Sequence, residues 1–239
     1  MQKAIEYAES KLGIKMPQIG SRFSSEETSA PSDFEMVNQK PADLKDGPIL
    51  HCRIGTPIAN MILVAASYAN FNVQQSQIDN GDAPTRLQID EKTSISTPLA
   101  IIHYISQKNK NPNLYGKEMA QVLQWINLSL SDAQSASLNW VLNNKQDSGR
   151  NLLKMLEDYL KTRTYLAGER ISMADISMSM ALMPLYQFSL DEKSRQSFAN
   201  TSRWFNTCIN QPNFLNVLGN VKLCVDPVKS EKDSKKGKK

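Results

Sequence analysis

The chain has 239 residues, 40% hydrophobic and 22% charged, with a formal net charge of +4. That composition supports a packed core and excludes wholesale disorder. Six of the lysines lie in the last eleven residues, Lys229 to Lys239, against Glu231 and Asp233; the remainder is close to neutral, which argues against a basic nucleic-acid groove.

Residues 1–16 read as a short amphipathic helix, with Ile5, Ala8 and Leu12 at helical spacing and Gly13 and Pro17 as stops. Residues 18–47 are rich in Ser, Glu and Pro and too poor in apolar groups to offset the entropy of ordering, so residues 1–47 are expected to be a helix and a flexible linker. Ile49 to Ile54 reads as a buried strand, Gly55 to Pro57 as a turn, and Ile58 to Ala69 as a helix with proline in its first turn. Phe71 to Ser76 alternates like a second strand, and strand–helix–strand at this spacing implies a parallel βαβ unit. Asn80-Gly81-Asp82 is a turn signal; Leu87 to Ile89 and Ser94 to Ile95 read as short strands, and Pro98 to Ser106 as a helix. Residues 48–107 thus form one small α/β layer. From 113 to 222 nearly every segment has helical period, and an all-helical second domain is expected, followed by the lysine-rich tail 225–239.

Cys52, Cys208 and Cys224 stand apart without CxxC spacing, and His51 and His103 lie in apolar segments. Neither a disulfide framework nor a metal site follows, so no metal is expected. No apolar run reaches the roughly 20 residues of a membrane helix, and the start of the chain lacks a secretory signal. Reduced thiols and a cytoplasmic location are the expectation, with no membrane partner.

The most informative stretch is Thr164 to Ser177. Ser172 followed by Asp175 has the form of a capping box at the start of an apolar helix, and Leu166-Ala167-Gly168 precedes it. In that setting the stretch resembles the helix-capping motif of the glutathione-transferase C-terminal domain. Asn200 to Cys224, with Arg203, Trp204, Gln211, Pro212, Phe214 and Leu218, is similar to the transferase-like domains of the translation machinery, those of elongation factor 1 gamma and those appended to aminoacyl-tRNA synthetases such as valyl-tRNA synthetase. The resemblance covers residues 49–222. It implies an α+β chain of the glutathione-transferase fold: a thioredoxin-like βαβ–ββα domain, then an all-helical domain. Two readings stay open for Arg203, a helix cap or the partner of a buried acid. Trp204 and Phe205 read as core or as partner contacts, and the methionines of Ser172 to Met183 as core fillers or a binding face.

A transferase of this family holds glutathione as a thiolate through a hydroxyl or thiol after the first strand, a cis-proline loop, and an acidic residue followed by serine at a helix start. Thr56 is the weak candidate activator, beside the reading that it caps a helix, and Cys52 is a candidate within the strand. Pro84 is the match for the cis-proline, or else an ordinary trans turn. Thr97 and Pro98 stand where the acid and serine would be, and proline offers neither N–H nor hydroxyl; Ser94 or Ser96 could substitute in a shifted register. The stretch from the second strand to Pro84 is also too short for the usual helix. The site at Pro84, Thr97 and Pro98 therefore reads as degraded, with no catalytic residue and no cofactor expected. The resemblance implies a non-catalytic scaffold that docks elongation factor 1 exchange subunits or aminoacyl-tRNA synthetases. A homodimer and a weak RNA contact through the tail are further partner readings, and an active glutathione S-transferase, with glutathione bound, is the alternative.

Overall fold

The computed structural model describes residues 47–78, 83–108 and 114–227. The expected N-terminal helix and linker, and most of the lysine-rich tail, lie outside the described residues.

The strands are β1 (Ile49–Cys52), β2 (Gln74–Gln77), β3 (Arg86–Gln88) and β4 (Ser94–Ile95). They form one sheet in the order β2-β1-β3-β4, with β1 parallel to β2 and antiparallel to β3, and β3 antiparallel to β4. Two helices belong to this layer, α1 (Pro57–Tyr68) and α2 (Pro98–Lys108). The second strand starts three residues later than the alternation of Phe71 to Ser76 suggests. Asn70 takes a left-handed φ of 47° to end the helical segment, and Phe71 packs edge-on against Tyr104 with ring centroids 6.1 Å apart. The apolar residues of that stretch therefore lead into the strand, whose own sequence is Gln-Gln-Ser-Gln.

Residues that are partners across neighbouring strands project to the same side of the sheet. Leu50, Cys52, Leu87 and Ile95 fall on one side, and Leu50, Cys52 and Leu87 are fully buried. Gln75 and Gln77 pair with Leu50 and Cys52 on that same side, while the buried Ile49 falls on the other side with His51, Gln74, Ser76, Arg86, Gln88 and Ser94. In β1, β3 and β4 the first side is apolar and the second mostly polar, Ile49 excepted, as in a sheet covered mainly on one side, whereas β2 is polar on both. A helix between β2 and β3 would cover the second face, but only eight residues, 78–85, join them.

The helical part comprises α3 (Met119–Leu128), α4 (Gln134–Asn143), α5 (Asp147–Leu160), α6 (Met173–Phe188), α7 (Glu192–Gln196), α8 (Ala199–Ile209) and α9 (Pro212–Leu218). Between α3 and α4 the chain makes a π-helical turn over Ser129–Ala133. Ser129 and Ser131 donate their hydroxyls to the carbonyls of Ile126 and Asn127 at 2.7 and 2.8 Å, and such back-bonding loosens the helical ladder. Buried almost all round, α6 packs against α1, α3, α4 and α8.

Gly149 shows how tightly α5 seats on α4. A Cβ built there would lie 2.5 Å from Cε3 of the Trp140 ring. Gly149→Ala should therefore cost about 1–3 kcal/mol despite alanine's better helix propensity. A fall in the urea midpoint at unchanged m-value would show it.

Candidate functional site

Topology brings the residues singled out in the sequence to one edge of the sheet. Thr56 follows the end of β1, Pro84 precedes the start of the antiparallel β3, and Thr97 follows the end of β4. All three positions lie where β1 and β2 end. Pro84 and Thr97 are exposed, and Pro98 begins α2, with the Thr97 carbonyl accepting the Ile101 N–H at 3.0 Å.

The chemistry at that edge is already committed. Thr56 is the N-cap of α1: its hydroxyl donates to the Arg53 carbonyl at 2.9 Å and accepts from the Ala59 N–H at 3.3 Å. A thiolate placed there would have to displace the Arg53 carbonyl to receive that proton. Cys52 is fully buried, and burial pushes its thiol up to about 11, so it stays protonated at neutral pH. His51 Nε2 lies 2.9 Å from Gln88 Oε1 on the polar face of the sheet, and the His103 ring meets Tyr115 edge-on at 5.4 Å. Ser94 is in β4 opposite Gln88, and Ser96 is exposed. The cleft between α1 and the helical part is closed by Pro57, Ile58, Met61, Leu130, Met180 and their neighbours, leaving about 10 Å³ of open space. A small-molecule site needs about 300 Å³ or more.

The strongest polar constellation lies elsewhere. Asp175 is fully buried at the start of α6. Its Oδ1 accepts from the Leu166 N–H and from the Trp204 indole N–H, both at 2.8 Å. Its Oδ2 accepts from the Ser172 N–H at 2.9 Å and the Ser172 hydroxyl at 2.8 Å, closing a capping box. Burial without a countercharge pushes the carboxyl above the usual aspartate range, and these hydrogen bonds pull it part of the way back. Nearby, Gln121 donates to the Tyr159 hydroxyl at 2.8 Å, which donates to the Leu166 carbonyl at 3.0 Å. Both polar groups of the Leu166 backbone are thus satisfied by side chains of the helices that flank the turn, Asp175 of α6 and Tyr159 of α5. Burial, and secondarily Asp175, holds the Cys208 thiol well above its ordinary value.

A second constellation joins α5 and α8. The Glu157 carboxylate accepts from the N–H and side-chain amide of Asn200 at 3.0 and 2.7 Å, and from the N–H and hydroxyl of Thr201 at 2.9 and 3.0 Å. These amides open α8, so the cap of that helix comes from its neighbour. In return Arg203, on α8, donates to the carbonyls of Leu160 and Arg163, both at 2.9 Å, and closes the end of α5. Arg203 is therefore a cap in trans. Trp204 and Phe205 are fully buried, and Phe205 stacks on Tyr186 with ring centroids 3.8 Å apart. The methionines at 173, 178, 180 and 183 are buried as well. The role of Glu157 was not visible in the sequence, where it is one acid among several on an amphipathic helix.

A small mixed sheet followed by helices, with a capping box buried at the start of the central helix, defines a glutathione-transferase-like fold, and residues 120–212 match the glutathione S-transferase C-terminal domain family. The more particular likeness is to elongation factor 1-gamma. The chain is 43% identical to the Homo sapiens protein over 141 residues, which is 52% of this chain and 31% of that one. Identity to the Artemia salina protein is 41% over 141 residues. The chain thus spans about a third of the length of these relatives. The GST-like domain of elongation factor 1-gamma from Saccharomyces cerevisiae superposes with a TM-score of 0.66 at 17% identity, covering 77% of this chain and 99% of that domain. A class Gtt2 glutathione S-transferase of Vibrio parahaemolyticus superposes at 0.61 and 18% identity, over 70% of this chain and 94% of that one.

Two measurements check the constellations. Asp175→Ala leaves the buried donors of Trp204 and Leu166 without partners and should cost about 3–5 kcal/mol in chemical denaturation. For Glu157, partial burial works to raise the pKa, and the hydrogen bonds from Thr201 and Asn200 outweigh it, so its carboxyl sits below the ordinary glutamate range. A depressed folded-state value means stability that is present above the unfolded pKa and lost as pH falls through the folded one. Glu157→Gln should therefore be less stable at pH 7 and lose less stability than the parent on acidification below about pH 4.

Proposed function

We propose that this chain is a non-catalytic docking module of the translation apparatus, built on a glutathione-transferase-like fold. The observation that carries the non-catalytic half is the commitment of the Thr56 hydroxyl to the Arg53 carbonyl and the Ala59 amide. It is the hydroxyl next after β1, and its proton goes to the Arg53 carbonyl instead of to a thiolate. Pro98 at the start of α2 and the eight-residue link between β2 and β3 add to this, because both remove groups that would grip the tripeptide. The translation half is supported by the 43% identity to human elongation factor 1-gamma.

Under this reading the partners are the exchange subunits of elongation factor 1 or aminoacyl-tRNA synthetases, held by protein–protein contact, and the module works in the cytoplasm. Among the described residues no helix is long and apolar enough to cross a membrane. Transferase-like folds commonly dimerise, and a homodimer is compatible with the same role.

The test has two arms. Immobilised glutathione should fail to retain the protein, conjugation of 1-chloro-2,4-dinitrobenzene should stay at the uncatalysed rate, and Thr56→Ala should lose about 1 kcal/mol of stability as a cap does. Retention with turnover that Thr56→Ala abolishes would establish the alternative, an active glutathione S-transferase. In the second arm the tagged chain should recover elongation factor 1 subunits or synthetases from cell extract at physiological salt. Recovery of neither would overturn the docking assignment.

A further inference from the structure

On the helical part a second concavity, of about 140 Å³, is lined by Trp140, Asn144, Gln146, Arg150, Ser189, Ser194 and Pro227. It differs in kind from the closed cleft beside α1: its walls are mostly polar, and four separate parts of the chain meet there. Each wall is set by a distinct local device. Asn144 ends α4 with a left-handed φ of 52°, which turns the chain back towards Gln146. Gly149, lacking a Cβ, lets the first turn of α5 sit down on the Trp140 ring. The far wall belongs to the C-terminal segment, which is tied to the body by the Cys224 N–H donating to the Tyr186 carbonyl at 2.8 Å and by Arg195 donating to the Cys224 carbonyl at 2.7 Å.

Arg150 is the chemical centre of this concavity. Its guanidinium carbon lies 5.2 Å from the centroid of the Trp140 ring. Nε and Nη2 both donate to Gln146 Oε1, at 3.0 and 2.8 Å, and Gln146 Nε2 in turn donates to Asn144 Oδ1 at 2.9 Å. A guanidinium carries five N–H donors, and one amide oxygen takes up two of them. Among the described residues no carboxylate pairs with this group, and none of the lining residues is acidic. An exposed side chain is thus held by two hydrogen bonds with donors left over, at the rim of a depression where Ser189 also lies and where the Ser194 N–H and hydroxyl are already taken by the Asp191 carboxylate. Fixing the fork beforehand lowers the entropy cost of binding.

We propose that this concavity is a binding site for a single carboxylate, with Arg150 as the recognition group and Trp140 as the floor. Its volume is below that of drug-sized or nucleotide pockets and suits a free small carboxylate or one acidic side chain of a bound peptide. The ligand accepts the remaining guanidinium N–H groups in the plane of the fork, and the neighbouring hydroxyl of Ser189 adds a further donor. The site is independent of the sheet edge and of the docking role.

The experiment uses the full chain in NMR titrations that follow the Arg150 Nε–H and the three tryptophan indoles. The probes are sodium acetate, an N-acetylated tetrapeptide amide with one glutamate, and its glutamine twin, with sodium chloride at matched ionic strength. Saturable shifts at Arg150 and Trp140, with the Trp125 and Trp204 indoles still, are expected for the two carboxylates. Stronger binding of the glutamate peptide than of acetate assigns the source to a protein side chain; the reverse order assigns it to a free carboxylate. Arg150→Lys, which keeps the charge and loses the fork, should weaken binding at least tenfold. Equal shifts with chloride or with the glutamine peptide, or unchanged affinity in Arg150→Lys, would overturn the site.

Discussion

The carboxylate of Asp175 is the group on which the helical part depends. A buried charge without a countercharge is costly, and it persists here because four donors from three places converge on it. They are the Ser172 cap, the Leu166 turn and the Trp204 ring. Each donor would itself be orphaned in the interior, so the acid and its neighbours justify one another. The turn from Thr164 to Ile171, which has no regular hydrogen-bond ladder of its own, is placed by this acid from one side and by Tyr159 from the other. Once α6 starts at a fixed point, α1, α3, α4 and α8 can pack around it.

On the non-catalytic reading proposed above, a glutathione-transferase-like fold stands without a group to activate a thiol, and the reason is local. The sheet edge needs a residue at the start of α1 that satisfies free amides, and threonine does so with its hydroxyl turned to Arg53. The same edge needs α2 to begin sharply, and proline at its first position serves that end. Both choices favour the scaffold and both withdraw groups from a ligand. In the adjoining cleft the apolar side chains of Ile58, Met61, Leu130 and Met180 leave about 10 Å³ open.

Much of this was legible in the sequence. The strands and helices follow period and punctuation, and Ser172 with Asp175 announced a buried helix start. Four things were hidden, each for a physical reason. The second strand is Gln-Gln-Ser-Gln, an outer strand paired on one edge only and with no residue fully buried, so hydrophobic alternation pointed to the preceding Phe71 and Val73. The π-helical turn at Ser129–Ala133 has the same apolar period as the helices beside it. Glu157 and Arg203 cap across a gap of more than forty residues, and no spacing rule reaches that far. The role of Asp175 as acceptor for Trp204 is equally non-local. Caps within one helix are readable from its own residues, whereas caps lent by a neighbour need the packing first.

The single-sided sheet makes the two parts of the molecule inseparable. Its apolar side faces α1 and α2, and α1 is itself covered on its other flank by α6 and α9. Seven of the ten residues of α1 from Ala59 to Tyr68 are buried, so the helix serves as common ground for both halves. Severing the chain in the stretch after α2 would strip that helix of one wall, and the isolated α/β layer would present a sticky flank to its own copies. Such a fragment is poorly suited to life as a separate domain, and any rearrangement that moved this layer between proteins would have to carry α6 and α9 with it.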